Sequence, residues 1–192
     1  MQDKSTPTPN ADRRAMMRKK LIDAARALFV EKGFAATSTP EIVKSAQVTR
    51  GALYHHFEDK EDLFRAVVLA EVEGLRLAIE AVSKGSEGDP LMSGSTGYFD
   101  AMSKSGRSQL LLIDGPAVLG VREMDLIDAG GGRAALRAGL SHANPNLSEQ
   151  DLEALTKVLS AAFDRAALAI AQGEAAEPYE QAMAALLVAA TS

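Results

Sequence analysis

Residues 49–64 read TRGALYHHFEDKEDLF, and they hold three of the nine aromatic side chains in the chain, Tyr54, Phe57 and Phe64, with His55 set beside His56. Thr49 is a hydroxyl able to cap a helix, so a short helix is predicted from there to His55 or His56. Asp59 caps a longer one that begins at Lys60 and runs to roughly Lys84. Leu53 and Phe57 are four residues apart and share one face of the short helix, whereas Arg50, Tyr54 and His55 fall off that face. A phenol, an imidazole and an ammonium are all hydrogen-bond donors suited to phosphate oxygens. On chemistry alone they are equally readable as half-buried packing groups beside a solvated lysine.

Working outward, FAATSTPEIVKSAQV at residues 34–48 contains a second short helix. Ser38 or Thr39 caps it, Pro40 and Glu41 fill its first turn, and it ends near Ala46. Gln47 and Val48 make a tight turn. Upstream, a first helix is expected from about Ala11 to Lys32, stopped by Gly33 as a left-handed C-cap. Its apolar stripe is Met17, Leu21, Ala24, Ala25, Leu28 and Phe29; its other face carries Arg13, Arg14, Arg18, Lys19 and Arg26. Two short helices joined by a tight turn behind a long supporting helix form the pattern of a helix-turn-helix.

The charge agrees with that reading. The net charge is −5, but residues 1–60 hold 11 Lys and Arg against 7 Asp and Glu, while residues 61–192 hold 10 against 19. A basic head on an acidic body matters more than the total, because attraction to a polyanion follows the local field. With 46% hydrophobic residues over 192 positions the chain can bury a sizeable core. It has no cysteine, hence no disulfide and no thiolate site, which fits a reducing cytoplasm. Its N-terminus lacks the apolar core of a signal peptide, and its longest apolar run, AMAALLVAA, is far short of a membrane span. A soluble, cytoplasmic, all-α protein is expected.

The body is helical but less distinct. SKGSEGDPLMSGSTG, residues 83–97, is rich in Gly and Ser and marks a boundary. Helices are expected around 98–112, 116–128, 133–142, 148–172 and 175–190, with Ser148 and Asp151 opening the fourth of these. Neither metal nor catalysis is supported. His55 and His56 are adjacent, so they point about 100° apart and cannot readily clasp one ion. There is no nucleophile elbow, Walker loop or zincin pair. GGGRAA at 130–135 satisfies G-x-G-x-x-A, yet lacks the preceding strand that a dinucleotide site needs, and reads as a flexible connection between helices.

T-x-G-A-L-Y-H-H-F-x-x-K-E-x-L-F, with ARALFVEKGFAATS at residues 25–38, closely resembles the DNA-binding domain of the tetracycline-repressor (TetR) family of bacterial transcriptional regulators. The match covers about residues 18–68. The resemblance implies a regulator of transcription, most often a repressor and not an enzyme, without cofactor or metal, that binds double-stranded operator DNA as a homodimer and responds to a small-molecule effector. It implies a disordered arm over residues 1–10, a helix-turn-helix domain over 11–60, a linking helix over 61–84 and an effector-binding and dimerisation domain over 85–192. By position, Thr39, Thr49, Tyr54, His56 and Lys60 match residues that grip the DNA backbone, and Arg50, Gly51 and His55 match positions that approach base edges. Of these, Arg50 can pair in bidentate fashion with a guanine. Two positions depart from the family pattern. Gln47 stands where glycine is usual, at about 1 kcal/mol for a positive φ, and Pro40 stands where a polar residue is common.

In such proteins the last two helices pair with their symmetry mates. The apolar faces here would offer Leu152, Leu155, Leu159, Ala162 and Ala166 from one helix and Met183, Leu186 and Leu187 from the other. A ligand pocket is expected among residues 61–170, lined by Phe99, Met102, Leu111, Met124 and Phe163, with Arg107, Asp114 and Arg122 placed to orient a polar ligand. RSQLLLIDGPAVLGVREMD, residues 107–125, also resembles a segment found in one group of these regulators.

Overall fold

The computed structural model describes residues 9–85 and 88–191. Among these residues the secondary structure is entirely helical. The arm expected over residues 1–10 lies outside the described residues except for Pro9 and Asn10, which open the first helix. The chain divides into two compact units, Met1–Val67 and Val68–Ser192, and the division falls inside a continuous helix.

The first unit holds α1 (Pro9–Ala36), α2 (Thr39–Ser45), α3 (Arg50–His56) and the first turns of α4 (Lys60–Gly85). α1 is broken at Gly33, where φ is 79° and ψ is 164°. The positive φ anticipated there is present, but ψ is extended and not left-handed helical, a combination reserved for glycine. Ser38, and not Thr39, caps α2: its hydroxyl accepts from the Glu41 amide while the Glu41 carboxylate accepts from the Ser38 amide at 2.9 Å, the reciprocal pairing of a capping box. Lys32 adds an ion pair at 2.8 Å. That pairing first, and the Ser38 donors second, hold the Glu41 pKa down at about 2. Gln47 takes φ of 55° in the turn, a left-handed conformation on a residue that is not glycine. Thr49 caps α3 by accepting from the Ala52 amide at 3.1 Å, and Asp59 caps α4 by accepting from the Asp62 amide at 2.8 Å.

Leu21, Ala25 and Phe29 from α1, Ile42 from α2, Leu53 from α3 and Leu63 and Phe64 from α4 are fully buried together. The rings of Phe29, Phe34 and Phe64 meet at centroid distances of 5.1–5.7 Å, two of the three pairs edge to face. At the corner after Gly33, the buried Thr37 hydroxyl lies 2.9 Å from the Gly33 carbonyl and 3.2 Å from that of Leu28. The Lys60 ammonium donates to the carbonyls of Phe34 and Thr37 at 2.8 and 3.0 Å and sits 4.2 Å above the Phe34 ring.

The second unit contains the rest of α4 and then α5 (Pro90–Met102), α6 (Arg107–Gln109), a π-helical turn (Leu110–Asp114), α7 (Gly115–Leu119), α8 (Val121–Ala129), α9 (Gly132–Ala143), α10 (Glu149–Ala171) and α11 (Ala176–Thr191). The helix expected over 98–112 is displaced. Asp89 caps a helix that starts at Pro90 and ends at Met102, inside what reads as a Gly- and Ser-rich boundary. Those small residues are packing positions: a Cβ on Gly97 would lie 3.2 Å from the Val82 Cβ, and one on Gly94 would lie 3.0 Å from the Ser83 hydroxyl. GGGRAA is likewise a close-packed junction, since a Cβ on Gly131 would reach within 2.4 Å of Val72. The π-helical turn precedes Pro116, which has no amide hydrogen for the ordinary helical bond, and the Gly115 amide donates back to Leu110.

Gly33→Ala is expected to destabilise the first unit by about 1–3 kcal/mol, because the new side chain must occupy a backbone region that only glycine populates freely. Nothing lies within 4 Å of the added Cβ, so the effect, read by chemical denaturation, isolates backbone strain.

Candidate functional site

α3 buries Leu53 and turns its other face outward. Arg50, Gly51, Tyr54 and His55 are exposed, and His56 and Lys60 are half-buried. A Cβ placed on Gly51 would find only the Thr49 hydroxyl, at 3.9 Å. The guanidinium of Arg50 lies over the Tyr54 ring at 5.5 Å. Contact with the Thr39 hydroxyl, and secondly with Arg50, holds the Tyr54 phenol below its ordinary pKa. Thr39 from α2 and Arg50 and Tyr54 from α3 thus form one connected polar patch. Thr49 uses its oxygen lone pair as a cap and keeps its own O–H for another acceptor.

His56 belongs to the same edge of the unit. Burial, then the positive charges of His55, Arg14 and Arg18, push its imidazole pKa down, so the ring is neutral at pH 7. Arg18 also lies 5.1 Å from the centroid of the Phe57 ring. α1 therefore contributes Arg14 and Arg18 beside α3, a contribution that the sequence reading missed. Their spacing showed a basic helical face; only packing shows that the face adjoins His56.

Lys60 also has a structural part. It matches a backbone-gripping position by resemblance, but two of its three donors are committed to the Phe34 and Thr37 carbonyls. It braces the corner after α1 and has one N–H left for any anion.

In the second unit a cavity of about 1000 Å³ is walled by α4, α5, α8, α9 and α10, with Leu75, Ile79, Leu91, Leu111, Met124 and Phe163 supplying much of its apolar surface. That volume is at the upper end for drug-sized ligands. Met102 also lines it, whereas Phe99, Arg107, Asp114 and Arg122 do not. Phe99 lies behind the wall, its ring 5.5 and 5.6 Å from those of Tyr98 and Phe163. Arg107 is buried and donates to Glu71 at 2.8 Å and to the Ala101 carbonyl at 2.7 Å, while Lys104 pairs with the other Glu71 oxygen at 2.8 Å. This is a structural ion network, and Gly74 makes room for the guanidinium. Asp114 accepts from the Gln109 amide at 2.8 Å.

The polar groups that do face the cavity escaped the sequence reading. Tyr98 donates to Asp164 at 2.8 Å, and Ser160 lies 3.4 Å from Asp128. Burial pushes both aspartic acids up, Asp164 to about 6, and drives the Tyr98 phenol well above its usual value. Tyr98, Asp128 and the Ser160–Asp164 pair come from three helices, α5, α8 and α10, far apart in the chain, so no motif announces them.

The expected pairing faces of α10 and α11 also need correction. Leu152, Leu159, Ala166, Met183 and Leu187 are buried within this chain, where α10 packs on α9 and α11 on α5. Leu155 and Ala162 are half-buried, and Leu186 alone of the set is exposed. The strongest apolar stripe serves the protein's own core. A second, thinner face remains outside: Ala154 and Val158 on α10, with Ala182, Ala185, Leu186 and Ala189 on α11. Among the described residues no helix is long and apolar enough to cross a membrane, and no group of three or more His, Asp or Glu is placed to hold a metal ion.

Among the described residues these features define a helix-turn-helix head followed by an all-helical body with a cavity. Residues 21–67 match the family of bacterial regulatory proteins of the tetR type, and residues 89–190 match the tetracyclin repressor-like C-terminal domain. The chain belongs to this family. It is 45% identical over 75 residues to the transcriptional regulator AcrR of Shigella flexneri, which covers 38% of this chain and 34% of that protein. It is 43% identical over 56 residues to the regulator UidR of Escherichia coli K12, which covers 29% of each. The chain thus spans about a third of the length of these curated relatives. A crystal structure of a TetR-family transcriptional regulator from Pectobacterium atrosepticum superposes with a TM-score of 0.68 at 28% identity, covering 95% of both chains.

Lys60→Ala is expected to lower the stability of the first unit by about 1–3 kcal/mol, since it strips two carbonyls of a charged donor. Urea denaturation checks this, and an unchanged midpoint would show that water replaces the ammonium at no loss.

Proposed function

We propose that this protein is a dimeric, DNA-binding transcriptional repressor of the bacterial cytoplasm that a small molecule releases from its operator. The observation that carries the DNA reading is the outward face of α3. It presents Arg50, Tyr54 and His55 outward, with His56 at its edge beside Arg14 and Arg18 of α1, on a unit whose Leu53 and Phe57 are buried. Tyr54, His56, Thr39 and Thr49 bond the phosphate backbone, and Lys60 contributes its remaining donor. Arg50 and His55 read base edges in the major groove, and Gly51 lets the helix backbone come close. A two-fold protein would read two half-sites about 34–36 Å apart.

The dimer forms through the outer faces of α10 and α11, around Val158 and Leu186. Ala182, Ala185 and Ala189 permit close approach of the helices. The effector occupies the cavity of the second unit. α4 is continuous from Lys60 in the first unit to the cavity-lining segment between Val72 and Lys84, so a ligand that favours one setting of α4 shifts the population of operator-competent dimers.

The test is fluorescence anisotropy on inverted repeats selected from a random library. Arg50→Ala is expected to relax sequence choice by about 1–3 kcal/mol at one position. Tyr54→Phe is expected to weaken binding to all sequences alike and to leave the salt dependence unchanged, because the phenol carries no charge. An Arg50→Ala protein as selective as its parent refutes the base-reading role. Leu186→Glu places a charge in the proposed dimer face and is expected to shift the protein towards monomer in sedimentation velocity and to weaken operator binding at least tenfold. A Leu186→Glu protein that sediments as its parent does would move the interface elsewhere.

A further inference from the structure

The cavity has a charge imbalance. Four cations line it, Arg76, Lys84, Arg133 and Lys157, and each already has carboxylate partners. Arg76 pairs with Glu73 and Glu80, Lys84 with Glu80, Arg133 with Asp125 and Asp128, and Lys157 with Glu153. Asp164 lines the same cavity, and among the described residues it forms no ion pair; its hydrogen bond is the one from Tyr98 at 2.8 Å. A phenol hydroxyl has a single proton and no charge, so it satisfies one lone pair without neutralising the carboxylate, and the Arg133 charge that acts on Asp164 is already paired with Asp125 and Asp128. The rings of Tyr98 and Phe163 pack against each other at 5.0 Å, and both residues line the cavity. An aromatic ring presents a negative face, which adds to the attraction for positive charge. An anionic ligand, by contrast, meets only cations that already carry carboxylate partners.

We infer that the cavity takes an amphipathic organic cation, its positive group against Asp164 and its apolar body along Leu75, Ile79 and Met124. This deepens the effector reading above and rests on it, by assigning the effector a charge. Apolar walls bind the body without strong shape demands, since Met124 is adaptable. The carboxylate, desolvated in an apolar wall, gains from a cation what it has lost from water. Tyr98 from α5, Asp128 from α8 and Arg133 from α9 act on Asp164 directly; the other charged and titratable groups lining the cavity are Asp89 ahead of α5, Asp125 from α8, His142 from α9, Lys157 on α10 itself, and Arg76, Glu80 and Lys84 along the α4 wall. The Asp164 carboxyl is raised to about 6, chiefly by burial. A proton therefore competes with a bound cation as the pH falls through that value, and cation binding weakens towards acid.

The test uses the purified full chain, isothermal titration calorimetry, and two ions of nearly one shape and opposite charge, tetraphenylphosphonium and tetraphenylborate. The phosphonium is expected to bind at least tenfold more tightly than the borate at pH 7.5, and about tenfold more weakly at pH 5 than at pH 7.5. The phosphonium itself does not titrate, so the pH dependence belongs to the protein. Asp164→Asn is expected to remove at least tenfold of the phosphonium affinity and to flatten the pH profile, leaving the borate unchanged. Equal affinity of the parent protein for the two ions overturns the assignment, and that comparison needs no variant to fold. Phosphonium binding untouched by Asp164→Asn also overturns it. Operator anisotropy on the same samples separates the two readings. Cation binding without operator release leaves the cavity assignment standing and sinks the effector role. Release by a neutral or anionic compound, with no cation binding, does the reverse.

Discussion

The first unit depends on how the chain turns the corner after its long first helix. Gly33 takes a conformation that ends α1 abruptly, and such an ending leaves carbonyls without helical partners. The Thr37 hydroxyl and the Lys60 ammonium supply the missing donors, one from inside the corner and one from the first turn of α4. The Phe29, Phe34 and Phe64 rings fill the space beneath. With that corner closed, α2 enters at a set angle through its capping box, and α3 follows Gln47 with Leu53 inward and its polar residues outward. The functional face is the remainder left after the apolar residues of a small three-helix core have been satisfied.

The second unit uses a different device. Its helices approach closely where glycine replaces a side chain, at Gly97 against Val82 and at Gly131 against Val72. The buried Glu71–Arg107 pair joins α4 to the start of α6. These contacts pull backbones together around the periphery and leave a space between α4, α5, α8, α9 and α10 that no side chain fills. A cavity of that size forfeits packing energy, which a ligand with an apolar body recovers. Among the described residues Asp164 lines this space without an ion pair.

Most of the head was legible in sequence because its signals are local. Caps at Ser38, Thr49 and Asp59 lie within three residues of the amides they serve, and apolar spacing of three and four assigns Leu21, Ala25, Phe29, Leu53 and Phe57 to the core. The exposed character of Arg50, Tyr54 and His55 follows from the same periodicity. The bracing part of Lys60 was not legible because its partners are 23 and 26 residues away. Nothing nearby in the chain says that two carbonyls wait for its ammonium. The adjacency of Arg14 and Arg18 to His56 is hidden for the same reason.

In the body, composition misleads where periodicity is weak. Gly and Ser between residues 90 and 97 look like linker and are helix, because what they relinquish in propensity they return in close packing. Periodicity identified an apolar stripe on α10 and α11 without saying what covers it. Leu152, Leu159, Met183 and Leu187 turned out to be the chain's own core, leaving Val158 and Leu186 outside. The sequence by itself determined an all-helical chain, the three-helix head with its outward polar face, and a basic head on an acidic body, since each of these is written within a few turns of helix or in composition. Only the tertiary structure decided which apolar face is spare, which charged groups are braces, and that Tyr98, Asp128 and Asp164 meet in one cavity, because those outcomes depend on distances between residues that the chain holds far apart.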